Sequence, residues 1–92
     1  VLIPYPHAAE DHQLRNAEVY AIAGAAKIVD ERRISARLDD ALAATTGELL
    51  TNCSARRAMS SAMRQLARPD AAWQVAMLVC DLARQAVERN VA

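Results

Sequence analysis

The sequence predicts a helix-rich α/β fold of two short parallel strands and about four helices. Three observations lead there. Two short apolar runs, residues 1–4 and 25–29, flank a stretch whose apolar spacing is helical. Three further helical stretches follow, set apart by capping residues, Gly47 and Pro69. The composition is alanine-rich, with 21 Ala among 92 residues, no Phe, one Trp and two Tyr. Small side chains favour helix, but each buries little area. A core of Ala, Leu and Val at this length is marginal by itself.

The elements follow in order. Val-Leu-Ile suits a buried strand, and Pro4, which lacks an N–H, ends its ladder. Residues 4–11 read as a loop, stiffened by prolines on both sides of Tyr5. Glu10 and Asp11 then supply negative charge and a capping oxygen where a helix begins. From His12 to about Ala23, Leu14, Ala17 and Ala21 form one apolar stripe, flanked by Val19 and Ile22. Gly24 supplies the stop. Residues 25–29 give the second strand, closed by Asp30-Glu31-Arg32-Arg33. Strand, helix and strand in that order form a βαβ unit with a right-handed crossover.

Ser35 is the expected N-cap of a helix over 36–46 with Leu38 and Leu42 inward, and Gly47 is expected to end or kink it. Asn52 or Ser54 caps a third helix over 55–67, whose apolar positions are Ala55, Ala58, Met59, Ala62, Met63 and Leu66. Asp70 caps a fourth over 71–89, with Val75, Leu78, Val79, Leu82 and Ala86 as its stripe. That helix carries a second apolar face at Trp73, Met77 and Cys80, which is either ordinary core or a surface that docks on protein outside this chain.

Eleven basic and eleven acidic residues balance, so charge makes no case for nucleic acid or an anionic surface. No apolar run approaches the roughly 18 residues needed to span a bilayer. Cys53 and Cys80 show no ligand spacing and read as free thiols in a reducing compartment. The start at Val1, with no Met and no leader, predicts a piece of a longer protein.

Polar chemistry concentrates in His7–Asn16, which leaves the first strand and enters the first helix. In open α/β sheets ligands sit at the carboxyl ends of the strands, and a helix N-terminus offers free N–H groups to an anion or sugar oxygen. Gln13 and Asn16 are three apart, so both amides project from one helix face. An amide donates and accepts, as each hydroxyl of a sugar does. Three other readings compete. His7, Asp11 and His12 could join a metal site, though their spacing matches no metal motif. A hydrolytic His–Asp pair lacks a nucleophile motif. A polar loop that only starts a helix needs no ligand at all. Arg56, Arg57 and Arg64 read as a solvated face, and with only Gly24 and Gly47 there is no glycine-rich phosphate loop.

Pro4-Tyr5-Pro6-His7 through Asp11-His12-Gln13-Leu14-Arg15-Asn16-Ala17 resembles the pattern Pro-(Tyr/Phe)-Pro-His-x-x-(Asp/Glu)-Asp-His-Gln-x-x-Asn-Ala of the MurG family, the peptidoglycan N-acetylglucosaminyltransferases. The resemblance continues at Gly24-Ala25-Ala26 and, more weakly, at Ala67-Arg68-Pro69-Asp70-Ala71-Ala72. Glu10 replaces a frequent aspartate, and Trp73 stands where a polar residue is usual. The resemblance implies that residues 1–92 are the last part of the C-terminal, UDP-GlcNAc-binding domain of a two-domain GT-B transferase, Rossmann-like in fold. Its glycine-rich loop, ribose-binding glutamate and N-terminal acceptor domain would lie outside this chain. It implies that Gln13 and Asn16 contact the donor sugar and that His12 belongs to the same motif. The implied reaction moves GlcNAc from UDP-GlcNAc to a lipid-linked muramyl-pentapeptide with inversion. It implies no metal cofactor and no catalytic residue in this segment. It places the full enzyme in the cytoplasm, peripheral on the inner membrane, with the terminal helix crossing toward the N-terminal domain. Two alternatives remain open here: a GT-B enzyme for another nucleotide sugar, and a non-catalytic helical module that binds through Trp73.

Overall fold

The computed structural model describes residues 1–91. A single 3-10 turn, Ala9–Asp11, leads into α1 (His12–Ile22), followed by α2 (Leu38–Thr51), α3 (Cys53–Leu66) and α4 (Ala71–Val91). The core sits at the N-terminal end. Its buried apolar residues are Leu14, Ala17, Ala25 and Val29, with Pro4 buried beside them in the sequence order expected of a strand–helix–strand unit. Ala21 is half-buried, whereas Val19 and Ile22 are exposed, so the α1 stripe faces inward as its spacing requires.

The end of α1 is a Schellman stop. Gly24 takes a left-handed φ of 75°. Its N–H donates to Ala21 O at 3.0 Å, and the Ala25 N–H donates to Tyr20 O at 2.8 Å. The chain then returns beside Leu2. The two expected parallel strands are not present among the described residues; they contract to one parallel bridge, Leu2 with Ile28. The Leu2 N–H donates to Lys27 O at 2.8 Å and the Val29 N–H to Leu2 O at 2.9 Å. The direction is as expected, but the ladder is not. Pro4 has no N–H to extend it, and Val1 and Ile3 are exposed where a parallel sheet is normally covered on both faces.

The α2 start differs from the expected Ser35 cap. Ser35 and Ala36 lie in a bend, and Arg37 holds the N-cap position without a capping bond. The Arg37 guanidinium instead forks onto Asp39, with contacts of 3.2 and 3.1 Å, while Asp39 and Asp40 put acidic charge in the first turn. Gly47 neither ends nor kinks α2. One glycine costs roughly 1 kcal/mol relative to Ala, too little to stop a helix anchored by half-buried Leu42 and Leu49 on either side.

Asn52 caps α3, its Oδ1 accepting the Ala55 N–H at 2.9 Å. α2 and α3 pack on each other, with Ala55, Met59, Ala62 and Leu66 half-buried at helical spacing and Ala58 and Met63 exposed. Arg56 is not simply solvated. Its Nη1 donates to Leu49 O and Leu50 O at 2.6 Å each, closing the last carbonyls of α2.

Every residue of α4 from Ala71 to Val91 is exposed. The expected inward stripe of Val75, Leu78, Val79 and Leu82 is open, as is the face of Trp73 and Met77. At α4's start the Asp70 carboxylate accepts from the Gln74 side chain. The molecule is correspondingly long, 65 × 32 × 16 Å, with a radius of gyration of 19.8 Å; a compact chain of this length would have about 12 Å. The accessible surface is 7277 Å², against about 5200 Å² for a compact monomer of this mass. No described helix is long and apolar enough to cross a membrane.

Candidate functional site

The loop between the bridge and α1 is built by local polar contacts. The Ala8 N–H donates to Tyr5 O at 3.3 Å, and the Asp11 N–H to Ala8 O at 3.3 Å. The Tyr5 and His7 rings meet edge to face, 5.6 Å apart at 77°. Glu10 and Asp11 then take left-handed φ values of 55° and 54°. Each such residue costs roughly 1–2 kcal/mol for an L side chain with a Cβ, less for Asp, whose short carboxylate tolerates the region.

Asp11 occupies the N-cap position of α1 but makes no capping bond. Its Oδ1 accepts from Arg32 Nη1 at 2.9 Å, across 21 residues of sequence. Arg32 Nε also lies 3.5 Å from Oδ1 of Asp30, and Arg33 Nε lies 3.3 Å from Oδ2 of the same carboxylate. Asp30 is 6% exposed and accepts the Arg32 backbone N–H at 3.1 Å. Its Oδ2 faces Arg33 as an ion pair without an aligned hydrogen bond. The Asp11 hydrogen bond and the attraction of its charge, with a smaller contribution from Asp30, hold the Arg32 guanidinium above its ordinary pKa.

Gln13 reaches back across this loop. Its Oε1 accepts the Tyr5 N–H at 2.9 Å. Because that N–H can only donate, the amide orientation is fixed, and the Gln13 NH₂ is left to donate elsewhere. Gln13 and Asn16 line one cleft of about 240 Å³, walled also by Ile3, Pro4 and Tyr20. The two amides expected to share a helix face therefore share a cleft wall.

His12 is placed differently. It lies outside that wall, and its Nδ1 is 2.7 Å from Ala9 O. A carbonyl can only accept, so the neutral ring carries its proton on Nδ1 and presents Nε2 as an acceptor. His7, Asp11 and His12 are engaged separately, by Tyr5, Arg32 and Ala9. No three His, Cys, Asp or Glu residues converge as a metal-binding group among the described residues. Cys53 and Cys80 are free and exposed.

Two contributors escape a reading of spacing. Tyr20, two turns beyond Gln13, has no local signal that distinguishes it from a core aromatic. Arg32 reads as one of several charges ending a strand, and only the return of the chain brings it to Asp11. A wider, open groove of about 790 Å³ lies on the other side of Tyr20, between the C-terminal ends of α1 and α3 and lined by Val19, Met63 and Arg68.

The bridge, the Pro-Tyr-Pro-His loop and the cleft shared by Gln13 and Asn16 all fall inside the segment that a glycosyltransferase domain family matches. The Glycosyltransferase family 28 C-terminal domain matches residues 1–75, and the chain belongs to this family. The similar relatives carry one name, UDP-N-acetylglucosamine--N-acetylmuramyl-(pentapeptide) pyrophosphoryl-undecaprenol N-acetylglucosamine transferase. That of Marinobacter nauticus is 41% identical over 75 residues, 82% of this chain and 20% of the relative. That of Gloeobacter violaceus is 44% identical over 84 residues, 91% of this chain and 23% of the relative. That of Stutzerimonas stutzeri is 40% identical over 82 residues, 89% and 22% respectively. The chain thus spans about a fifth of the length of the curated relatives it matches. No solved structure matches.

Proposed function

We propose that residues 1–92 are the last part of the C-terminal, UDP-GlcNAc-binding domain of a GT-B transferase. The full enzyme transfers GlcNAc from UDP-GlcNAc to undecaprenyl-diphospho-muramoylpentapeptide in peptidoglycan synthesis. Its acceptor site lies in an N-terminal domain outside this chain, and it works in the cytoplasm, peripheral on the inner membrane. The observation that carries this reading is the cleft shared by Gln13 and Asn16, within residues 1–75, which the family domain matches.

The geometry supports the following division of labour. Gln13, with its carbonyl engaged by Tyr5, donates its NH₂ to a sugar oxygen. Asn16, with no side-chain partner among the described residues, donates or accepts as the neighbouring hydroxyl requires. His12 lies outside the cleft wall, and its free Nε2 is the acceptor it would offer to the same ligand. These contacts orient the sugar for attack on the anomeric carbon, which is a positioning role. Loss of the sugar contact in a Gln13→Ala variant of the full-length transferase lowers kcat/KM for UDP-GlcNAc by the equivalent of about 1–3 kcal/mol. Steady-state kinetics at subsaturating donor measure it, and an unchanged rate removes Gln13 from the site.

A further inference from the structure

We propose that Arg32 is a positioning residue for the donor site: it clamps Asp11 in its left-handed conformation and thereby sets where α1 begins and where Gln13 points. The inference rests on the donor-site reading of Gln13 and goes beyond it, since Arg32 touches neither cleft amide.

Four observations combine. Arg32–Asp11 is the one side-chain hydrogen bond among the described residues that spans more than seven positions between two side chains. It ties the turn after the second bridge segment to the residue immediately before α1. Asp11 and its neighbour Glu10 both hold φ values near 55°. Such a conformation persists only where surrounding contacts impose it, and the backbone contacts of this turn are long, at 3.3 Å. Arg32 is itself held from behind. The Asp30 carboxylate, 6% exposed, accepts its backbone N–H and pairs with its Nε. A guanidinium supported on one carboxylate and donating to a second forms a rigid bracket, because its donors lie in one plane.

The consequence is geometric. Gln13 is two residues beyond Asp11, and its Oε1 must meet the Tyr5 N–H at 2.9 Å. Release of Asp11 lets the first turn of α1 refray, and the Gln13 amide loses its fixed orientation. An exposed ion pair contributes little to stability. Arg32 is 41% exposed and Asp11 49%, so loss of the pair shows in donor use before it shows in melting temperature.

A double-mutant cycle in the full-length transferase tests this, with Arg32→Ala, Asp11→Ala and the pair together. KM for UDP-GlcNAc rises about three- to tenfold in each single variant, with kcat within about twofold. The double variant is no worse than either single one, and Arg32→Lys recovers part of the loss. Circular dichroism melts on the same proteins separate this from unfolding. An unchanged KM in Arg32→Ala, or strictly additive losses in the cycle, overturns the clamp while Gln13→Ala still raises KM. If Gln13→Ala also leaves KM unchanged, the donor-site reading fails and the clamp falls with it.

Discussion

The Gln13 amide has part of one of its two functions already committed. The Tyr5 N–H donates to the carbonyl oxygen at 2.9 Å, which leaves the two NH₂ donors and one oxygen lone pair for a ligand. Gln13→Glu separates the two. The carboxylate still accepts from Tyr5 but has no proton to donate, and it places a negative charge beside a donor that carries a diphosphate. We expect Gln13→Glu to leave the melting temperature close to that of the parent and to lower kcat/KM at least as much as Gln13→Ala. Retained activity in the Glu variant would show that the sugar uses Gln13 as an acceptor. His12 is fixed by the same logic, since Ala9 O at 2.7 Å selects the Nδ1–H tautomer.

Among the elements, those with local punctuation were legible in the sequence. The stripe Leu14, Ala17 and Ala21, the stop at Gly24 and the cap at Asn52 all depend on contacts within a few residues, so spacing reveals them. Gly24 gives the sharpest test. A Cβ at this position would meet nothing within 4 Å, so Gly24→Ala is penalised for backbone conformation alone. The φ of 75° sets that cost at about 1 kcal/mol, read as a lower denaturation midpoint with unchanged m-value. A neutral substitution would mean that the Schellman stop is not kept in solution. The start of α2 departs from the Ser35 cap because Ser35 is a good cap by type alone, whereas the Arg37–Asp39 fork that forms instead depends on side-chain geometry. The expected strand pair contracts to one bridge because apolar runs announce that a segment is buried, not how many ladder bonds its neighbours allow.

At the scale of the molecule the dominant fact is uncovered apolar surface. α4 exposes Trp73 at 69% and Leu78 at 60%, and the radius of gyration exceeds that of a compact chain by more than half. On the proposed reading the acceptor site lies outside residues 1–92, and these residues hold only Gly24 and Gly47, too few for a glycine-rich phosphate loop, so we expect no GlcNAc transfer from the 92-residue polypeptide. A radiolabelled transfer assay with lipid acceptor checks it, and measurable turnover would overturn the division of roles between the domains.

The sequence by itself determined the family, the helical periodicities and the residue types at the cleft. These follow from motif chemistry and from side-chain spacing over a few turns, which are properties of the chain order. The tertiary structure alone decided three things: that Gln13 turns its carbonyl to Tyr5, that Arg32 brackets Asp11, and that α4 stays exposed from Ala71 to Val91. Each depends on where the chain returns in space. The physical reason is that hydrogen-bond direction and burial are set by groups distant in sequence, and no local pattern encodes their positions.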